Sequence, residues 1–405
     1  MSVRQTEGGV TAAKGFLASG VRCGIRKNKS KKDLALIYSK APCAAAAVYT
    51  SNRAQSGPIK VTRANLEDGR ARAIICNSGI ANTCAPGAVE LAREMCRLAA
   101  GALGLGEDEV IVASTGVIGQ PLNIEAIREG MAPLCAGLGR DSLPAAQAIM
   151  TTDTVPKQAA AVFEAGGVEC RVGGVAKGVG MIHPNMATML AFITTDCAIS
   201  PEMLKKALSL DVQKSFNMLS VDGDTSTNDM AAALANGMAG NPEITGEGPD
   251  FEEFMLALNS VTVSLCRQLA GDGEGCTKLL DCVVTGAKTE QDAKKAAKAV
   301  ICSNLTKAAM FGADANWGRV MCAAGYSGAD FEPEKTDIAF SSPAGEITVC
   351  KMGEGLPFDE ELAKRVLSER EINILVRMRQ GTGEAEAWGC DLTYGYVKIN
   401  GDYRT

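Results

Sequence analysis

An α+β fold of layered sheets and helices is what this 405-residue sequence predicts, and three observations carry the prediction. Strand-type runs and helical periodicities follow one another in mixed order, without the regular βαβα alternation of a doubly wound sheet. Apolar residues make up 46% of the chain and aromatics only 4%, so the core must be built from Ala, Val, Leu, Ile and Met. The length allows a large core, in one unit or two domains.

Residues 9–62 read as β-rich: GVTAAKGFLASGV, DLALIYS, AAAAVYTS and PIKVT, separated by turn-prone stretches. Residues 72–77 (RAIICN) are a further strand, and 89–103 carry apolar residues at helical spacing. The buried-type strand 109–114 (EVIVAS) exits tightly at Thr115-Gly116. A helix over 123–138, interrupted at Pro133, precedes a short one over 141–150. Two short strands near Ala160 and Cys170 lead into 177–196, KGVGMIHPNMATMLAFITTD. There a glycine-rich run containing Pro184 gives way, after Ala187-Thr188, to an apolar strand. Helices are expected over 201–208 and 230–238, with 241–249 (NPEITGEGP) the clearest linker. The longest helix, 251–269, is broken by GDGEG. Residues 278–285 form a strand, and Thr289 caps the helix that follows. The period-2 alternation of CDLTYGYVKIN predicts a half-exposed closing strand.

Composition excludes several function classes. A net charge of −6 argues against a nucleic-acid binder, and the basic run 26–32 (RKNKSKK) reads as a solvated loop. No uncharged apolar run reaches membrane-spanning length, and MSVRQTEGGV lacks a signal-peptide layout, so the cytoplasm is the expected compartment. The 15 cysteines contain no CxxC and read as small buried hydrophobes. No metal site is expected. With His183 the only histidine, a histidine-built zinc site within one chain is excluded, and any nucleophile needs another base.

Three candidate motifs lose their functional reading. GGVAKGVG (173–180) has its lysine before the glycine rather than in a GK[ST] ending. GDGEGC (271–276) is a turn after a helix, and SVDGDTSTND (220–229) misses calcium-loop spacing and reads as a capping turn. Ser114-Thr115-Gly116 reads first as a plain strand-exit turn, but small residues at a strand end can also aim backbone N–H groups and a hydroxyl at one point, as an oxyanion hole requires.

AKGVGMIHPNMATMLAFITTD resembles the self-processing site of the glutamate N-acetyltransferase (ornithine acetyltransferase) family of arginine biosynthesis. Ordered blocks extend the resemblance along the chain: VTAAKGFLASGV, DLALIYS, AAAAVYTSN, ASTGVIGQPL, MTTDT, SVDGDTSTND, GADANWGR and VKINGDYRT. Ile80, in NSGIANTC, departs from it where a polar residue is expected. The resemblance implies cleavage at Ala187-Thr188 into chains 1–187 and 188–405 that fold together, with Thr188 as the acyl-carrying nucleophile. A C-terminal α/β subdomain is expected from about residue 290. Thr115 and Gly116 fall on the oxyanion-hole pair, and Thr151, Lys177, Thr188, Glu274, Asn400 and Thr405 on substrate-contacting positions. It further implies a heterotetramer of two chains of each kind, and a fold similar to, but topologically distinct from, N-terminal-nucleophile hydrolases. No cofactor is implied. The implied substrates are N-acetylornithine and glutamate, with acetyl-CoA as a second donor in some members of the family. The nearest rival is an N-terminal-nucleophile amidase or aminopeptidase releasing to water; a non-enzymatic acidic scaffold is the other.

Overall fold

The computed structural model describes residues 3–26, 28, 30–183 and 189–402. Ala187, Thr188 and Thr405 lie outside the described residues. The chain divides into two compact units. The first comprises Met1–Gly178, Pro184–Phe216 and Thr225–Leu265; the second comprises Val179–His183, Asn217–Asp224 and Cys266–Thr405.

The first unit carries β1 (Arg4–Thr6), β2 (Phe16–Val21), β3 (Leu34–Tyr49), α1 (Gly57–Asn65), β4 (Arg70–Ile80), α2 (Ala88–Leu103), β5 (Val110–Val117), α3 (Ile124–Ala136) and α4 (Leu143–Ile149). It continues with β6 (Lys157–Ala165), β7 (Val168–Lys177), β8 (Leu190–Thr195), α5 (Pro201–Asp211) and β9 (Met230–Ala235), and the long helix α6 (Pro249–Gly271) begins in it. Among the described residues, nine strands form one mixed sheet in the order β1-β6-β7-β8-β9-β3-β4-β5, with β2 paired to β3. The β4–β5 and β8–β9 pairs are parallel and the others antiparallel.

Period-2 alternation distributes the apolar runs between two cores. Leu34, Leu36, Ala73, Ile75, Val110 and Val112 pack with Ala92, Met95 and Ala99 of α2 and Ile127, Met131 and Leu134 of α3. Their neighbours Ala35, Ile37, Ile74, Cys76, Ile111 and Ala113 pack with Ala145, Ala148 and Ile149 of α4. A sheet covered on both faces needs apolar residues at every position, which is why these strands read as continuous apolar runs. All the cysteines carry free thiols, and burial raises those of Cys43, Cys76 and Cys96 to about 12.

The second unit holds β10 (Leu279–Ala287), α7 (Glu290–Cys302), α8 (Asn304–Phe311), α9 (Trp317–Gly325), β11 (Asp337–Ser342), β12 (Gly345–Lys351), β13 (Glu354–Gly355), α10 (Glu360–Ser368), β14 (Glu371–Arg377), β15 (Gly383–Cys390) and α11 (Tyr394–Asp402). Its sheet runs β13-β12-β11-β14-β10-β15. Helix α7 packs on β10 and β15 through a small-residue face of Ala293, Ala296, Ala297, Val300 and Ile301. Thr289 caps it as expected, its hydroxyl accepting from the Asp292 N–H at 3.1 Å.

Several elements differ from the sequence reading. Residues 230–238 were expected to be helical, yet Met230–Ala235 (MAAALA) is strand β9, fully buried between β8 and β3. Alanine favours helices, but an all-apolar run has no polar face to reveal its period, and pairing on both edges outweighs propensity. The strand expected at PIKVT is helix α1, started by Pro58 in its first turn. DLALIYS and AAAAVYTS join in the single strand β3, whose pairing with β4 shifts register between Tyr38 and Cys43, around Pro42. Helix α3 runs through Pro133 and stops at Ala136. The expected linker 241–249 lies inside the first unit, where Ile244 donates to the Ala198 carbonyl at 3.0 Å. The closing strand is helix α11: the Thr393 hydroxyl accepts from the Gly395 N–H at 3.0 Å and so turns the chain into it. With Met230 opening a strand, the turn before it caps no helix.

Candidate active site

Strands β4 and β5 run parallel and in register, so Asn77, Ser78 and Gly79 lie beside Ser114, Thr115 and Gly116. The strand continues through the exit expected at Thr115-Gly116 and ends at Val117. The Ser114 hydroxyl donates to Asn77 Oδ1 at 2.6 Å. Buried Asn228 uses Nδ2 to donate to the carbonyls of Ala81 (2.6 Å) and Ser114 (2.8 Å). Its Oδ1 accepts from the hydroxyls of Thr83 and Thr227, each at 2.7 Å. A buried amide satisfied on both ends fixes the backbone it touches, here the carbonyl just before Thr115.

Gly116 is required by two independent constraints. Its φ is +133°, a region that side chains rarely adopt. A Cβ there would lie 2.2 Å from the Gly79 carbonyl carbon and 2.7 Å from the Ile80 nitrogen. Ile80 meets the network through its backbone only, its carbonyl accepting from Asn77 Nδ2 at 2.9 Å.

Lys177 ends β7 with its side chain buried, and Nζ donates to Thr115 Oγ1 at 3.0 Å. Burial pushes its ammonium below the usual lysine value, while the carboxylates of Asp153 and Asp229 pull the other way. Asp153 is buried too, which disfavours its charge. Lys157 (2.7 Å), Lys177 and the Gly178 N–H (3.0 Å) outweigh that and hold its carboxyl at about 2. Asp153 also accepts from the backbone N–H of Thr151 at 2.9 Å, which brings Thr151 into the same network. Asp229 behaves oppositely: burial raises its carboxyl well above the usual range despite Lys177, and its Oδ2 has no hydrogen-bond partner among the described residues.

Register connects these groups to the expected cut. Lys177 pairs with Leu190, and Leu190 pairs in turn with Met230, the residue after Asp229. The Met230 N–H donates to the carbonyl of Met189, the residue after Thr188, at 2.9 Å. The first unit therefore brings together Thr115, Gly116, Lys177 and Thr151.

In the second unit Asn400 Nδ2 donates to Glu274 Oε2 at 2.8 Å. The Glu274 N–H donates to the Val179 carbonyl at 2.8 Å. Gly180 sits so close to the carboxylate that a Cβ would lie 2.4 Å from Oε2. Glu274 and Asn400 are thus neighbours, 126 residues apart in the chain. Sequence reasoning passed over Asp153, Lys157, Asn228 and Asp229. The blocks MTTDT and STND hold three of them, but nothing local marks a charge as buried.

Among the described residues no helix is long and apolar enough to cross a membrane, and no three His, Cys, Asp or Glu side chains cluster as a metal site. A mixed sheet whose strand ends hold an obligate glycine, a hydroxyl and buried charges is a frame suited to an enzyme of group transfer, and comparison with known proteins specifies the class as acyltransferase. The ArgJ family matches residues 17–405. The arginine biosynthesis bifunctional protein ArgJ of Symbiobacterium thermophilum is 51% identical over 401 residues, covering 98% of this chain and 99% of that protein. Its namesake in Caldanaerobacter subterraneus subsp. tengcongensis is 49% identical with the same coverage. Among solved structures, ArgJ from Bacillus halodurans shares 46% identity at a TM-score of 0.50, over 52% of this chain and 98% of that one. Ornithine acetyltransferase from Mycobacterium tuberculosis, complexed with ornithine, shares 37% identity at 0.42, over 46% and 100%. The chain belongs to the ArgJ family and is an acyltransferase enzyme of arginine biosynthesis.

Proposed function

We propose that the chain moves an acetyl group from N-acetylornithine to glutamate through an acetyl-Thr188 intermediate, after cutting itself between Ala187 and Thr188. The observation that carries this reading is the Lys177 position: it pairs with Leu190, two residues past Thr188, and reaches Thr115 beside Gly116. The names of the relatives, bifunctional proteins of arginine biosynthesis, support it. So does the length of the solved Bacillus halodurans chain: (0.52 × 405)/0.98 is about 215 residues, against the 405 − 187 = 218 that the cut would leave.

The chemistry balances without a cofactor. Cleavage frees the α-amino group of Thr188, whose ordinary pKa of about 7.7–8.0 leaves a usable neutral fraction near pH 7. That amine takes the proton from Oγ as Oγ attacks the acetamide carbonyl, and returns it to the departing ornithine nitrogen. The oxyanion is met by donors at Thr115 and Gly116. Glutamate's amine then takes the acetyl group by the same steps reversed. The assembly is a heterotetramer of two chains of each kind, working in the cytoplasm. Acetyl-CoA serves as a second donor, in keeping with the word bifunctional in the relatives' names.

Purified enzyme given glutamate and either acetylornithine or acetyl-CoA is expected to form N-acetylglutamate from both, with little acetate while glutamate is present. Acetate as the main product would favour a hydrolase and overturn transfer.

Charge matching assigns Lys177 to the substrate carboxylate and Glu274 to its ammonium. Losing a charge-assisted hydrogen bond costs about 1.5–3 kcal/mol, so Lys177→Met and Glu274→Gln should each raise the KM for acetylornithine about ten- to a hundredfold. An unchanged KM in both variants would sink the assignment.

A further inference from the structure

The five residues that precede the cut segment, Val179–His183, belong to the second unit and are bonded into it along their length. Besides the bond from Glu274 to Val179, the Ile182 carbonyl accepts from the Val221 N–H at 2.7 Å, and His183 Nδ1 meets the Ser220 hydroxyl at 3.1 Å. The centre of this stitching is Asp222. Its Oδ2 accepts from the Met181 N–H at 2.6 Å and from the Tyr396 hydroxyl at 3.3 Å. Its Oδ1 accepts from the N–H groups of Ile182 (2.8 Å) and Asp224 (3.2 Å). All four partners donate, so a carboxylate, which only accepts, suits the position. Asparagine would turn an amide NH2 toward groups that also donate.

Met181 shows what the carboxylate restrains. Its φ is +55°, the left-handed region, and the residue is 43% exposed, so side-chain packing does not explain the conformation. Ile182 beside it is 2% exposed and seats the segment in the core. A methionine left to itself would relax from that φ; two adjacent N–H groups held by one carboxylate keep it there.

We propose that Asp222 is a positioning residue for self-cleavage, fixing the left-handed turn at Met181 six residues before the scissile bond. The inference rests on the cut proposed above. In that reaction Thr188 Oγ forms a bond to the Ala187 carbonyl carbon as the C–N bond breaks, and the Oγ proton passes to the freed nitrogen. Water then hydrolyses the ester, leaving a carboxylate on Ala187 and restoring the hydroxyl. Attack of a side chain on its own preceding peptide depends on how the two are oriented, and Asp222 fixes the direction in which the chain continues from Met181 and Ile182.

The test follows conversion of the full 405-residue chain into fragments of 187 and 218 residues, by denaturing electrophoresis and mass spectrometry. Asp222→Asn should slow cutting about ten- to a hundredfold, the scale of a small misplacement of reacting groups. Tyr396→Phe, which leaves all three backbone N–H bonds to Asp222, should cut at the wild-type rate. The double variant Asp222→Asn/Met181→Gly separates positioning from general destabilisation: glycine adopts the left-handed turn without strain, so cutting should recover at least in part. Thermal unfolding of uncut Asp222→Asn should match that of uncut Thr188→Ala. The proposal is overturned by cutting at the wild-type rate in Asp222→Asn, or by slow cutting that Met181→Gly does not relieve. A wild-type chain that never cuts removes the processing reading as well, and the wild-type lane alone reports that.

Discussion

Gly116→Ala is expected to lower kcat for acetyl transfer by about a hundred- to a thousandfold, the loss typical of one missing oxyanion donor. The backbone at Gly116 has φ +133°, and an added Cβ would stand 2.2 Å from the Gly79 carbonyl carbon and 2.4 Å from its oxygen. Those atoms belong to β4, whose pairing with β5 is continuous from Ala73 through Ile80. The neighbouring strand cannot yield by a side-chain rotation, so the peptide at 115–116 must rotate instead, and with it the N–H proposed as an oxyanion donor. The side-chain bond from Lys177 to Thr115 Oγ1 is not removed by the change, so the KM for acetylornithine should move far less than kcat. Steady-state kinetics on folded protein, verified by circular dichroism, decide the matter. A kcat within a few-fold of wild type would remove Gly116 from the oxyanion hole.

Thr188→Ala is expected to abolish two activities together. Without the hydroxyl the 187–188 bond stays intact, and the chain runs as one 405-residue band. Transfer should fall on the order of a millionfold, the scale seen when a covalent nucleophile is deleted. The coupling has a chemical reason: until the bond breaks, the nitrogen that is to act as base is an amide. Efficient cutting at 187–188 in this variant, shown by mass spectrometry, would refute the nucleophile assignment. A cut there would not release β8, which is paired with β7 on one side and β9 on the other.

Legibility of the fold followed the length scale of each signal. The strands at residues 72–77 and 109–114 and the helix at 89–103 were readable because burial of both sheet faces, or of one helix face, imprints itself on consecutive residues. Met230–Ala235 was not, because MAAALA contains no polar residue to mark a period. Helix α11 was not, because its apolar positions alternate by chance while Tyr394 and Val397 remain 84% and 67% exposed. There the hydroxyl of Thr393 was the informative signal, and it looks like any other threonine in a turn.

The candidate site divides in the same way. Resemblance to a contiguous family motif points to the Ala187-Thr188 bond, and a strand-end triplet points to Thr115 and Gly116, because those features are written in neighbouring residues. The linkage of Lys177 to Thr115, Asp153 and Asp229 is written nowhere locally: it arises when β5, β7 and the start of β9 meet in one sheet. The same holds for Asp222, which read as part of a capping turn until its four donors came from residues 181, 182, 224 and 396. A family motif written in neighbouring residues supplies the candidates for the reacting atoms, whereas the charge each buried group carries and the backbone each carboxylate restrains depend on distant neighbours, because desolvation and hydrogen bonding are properties of the folded environment.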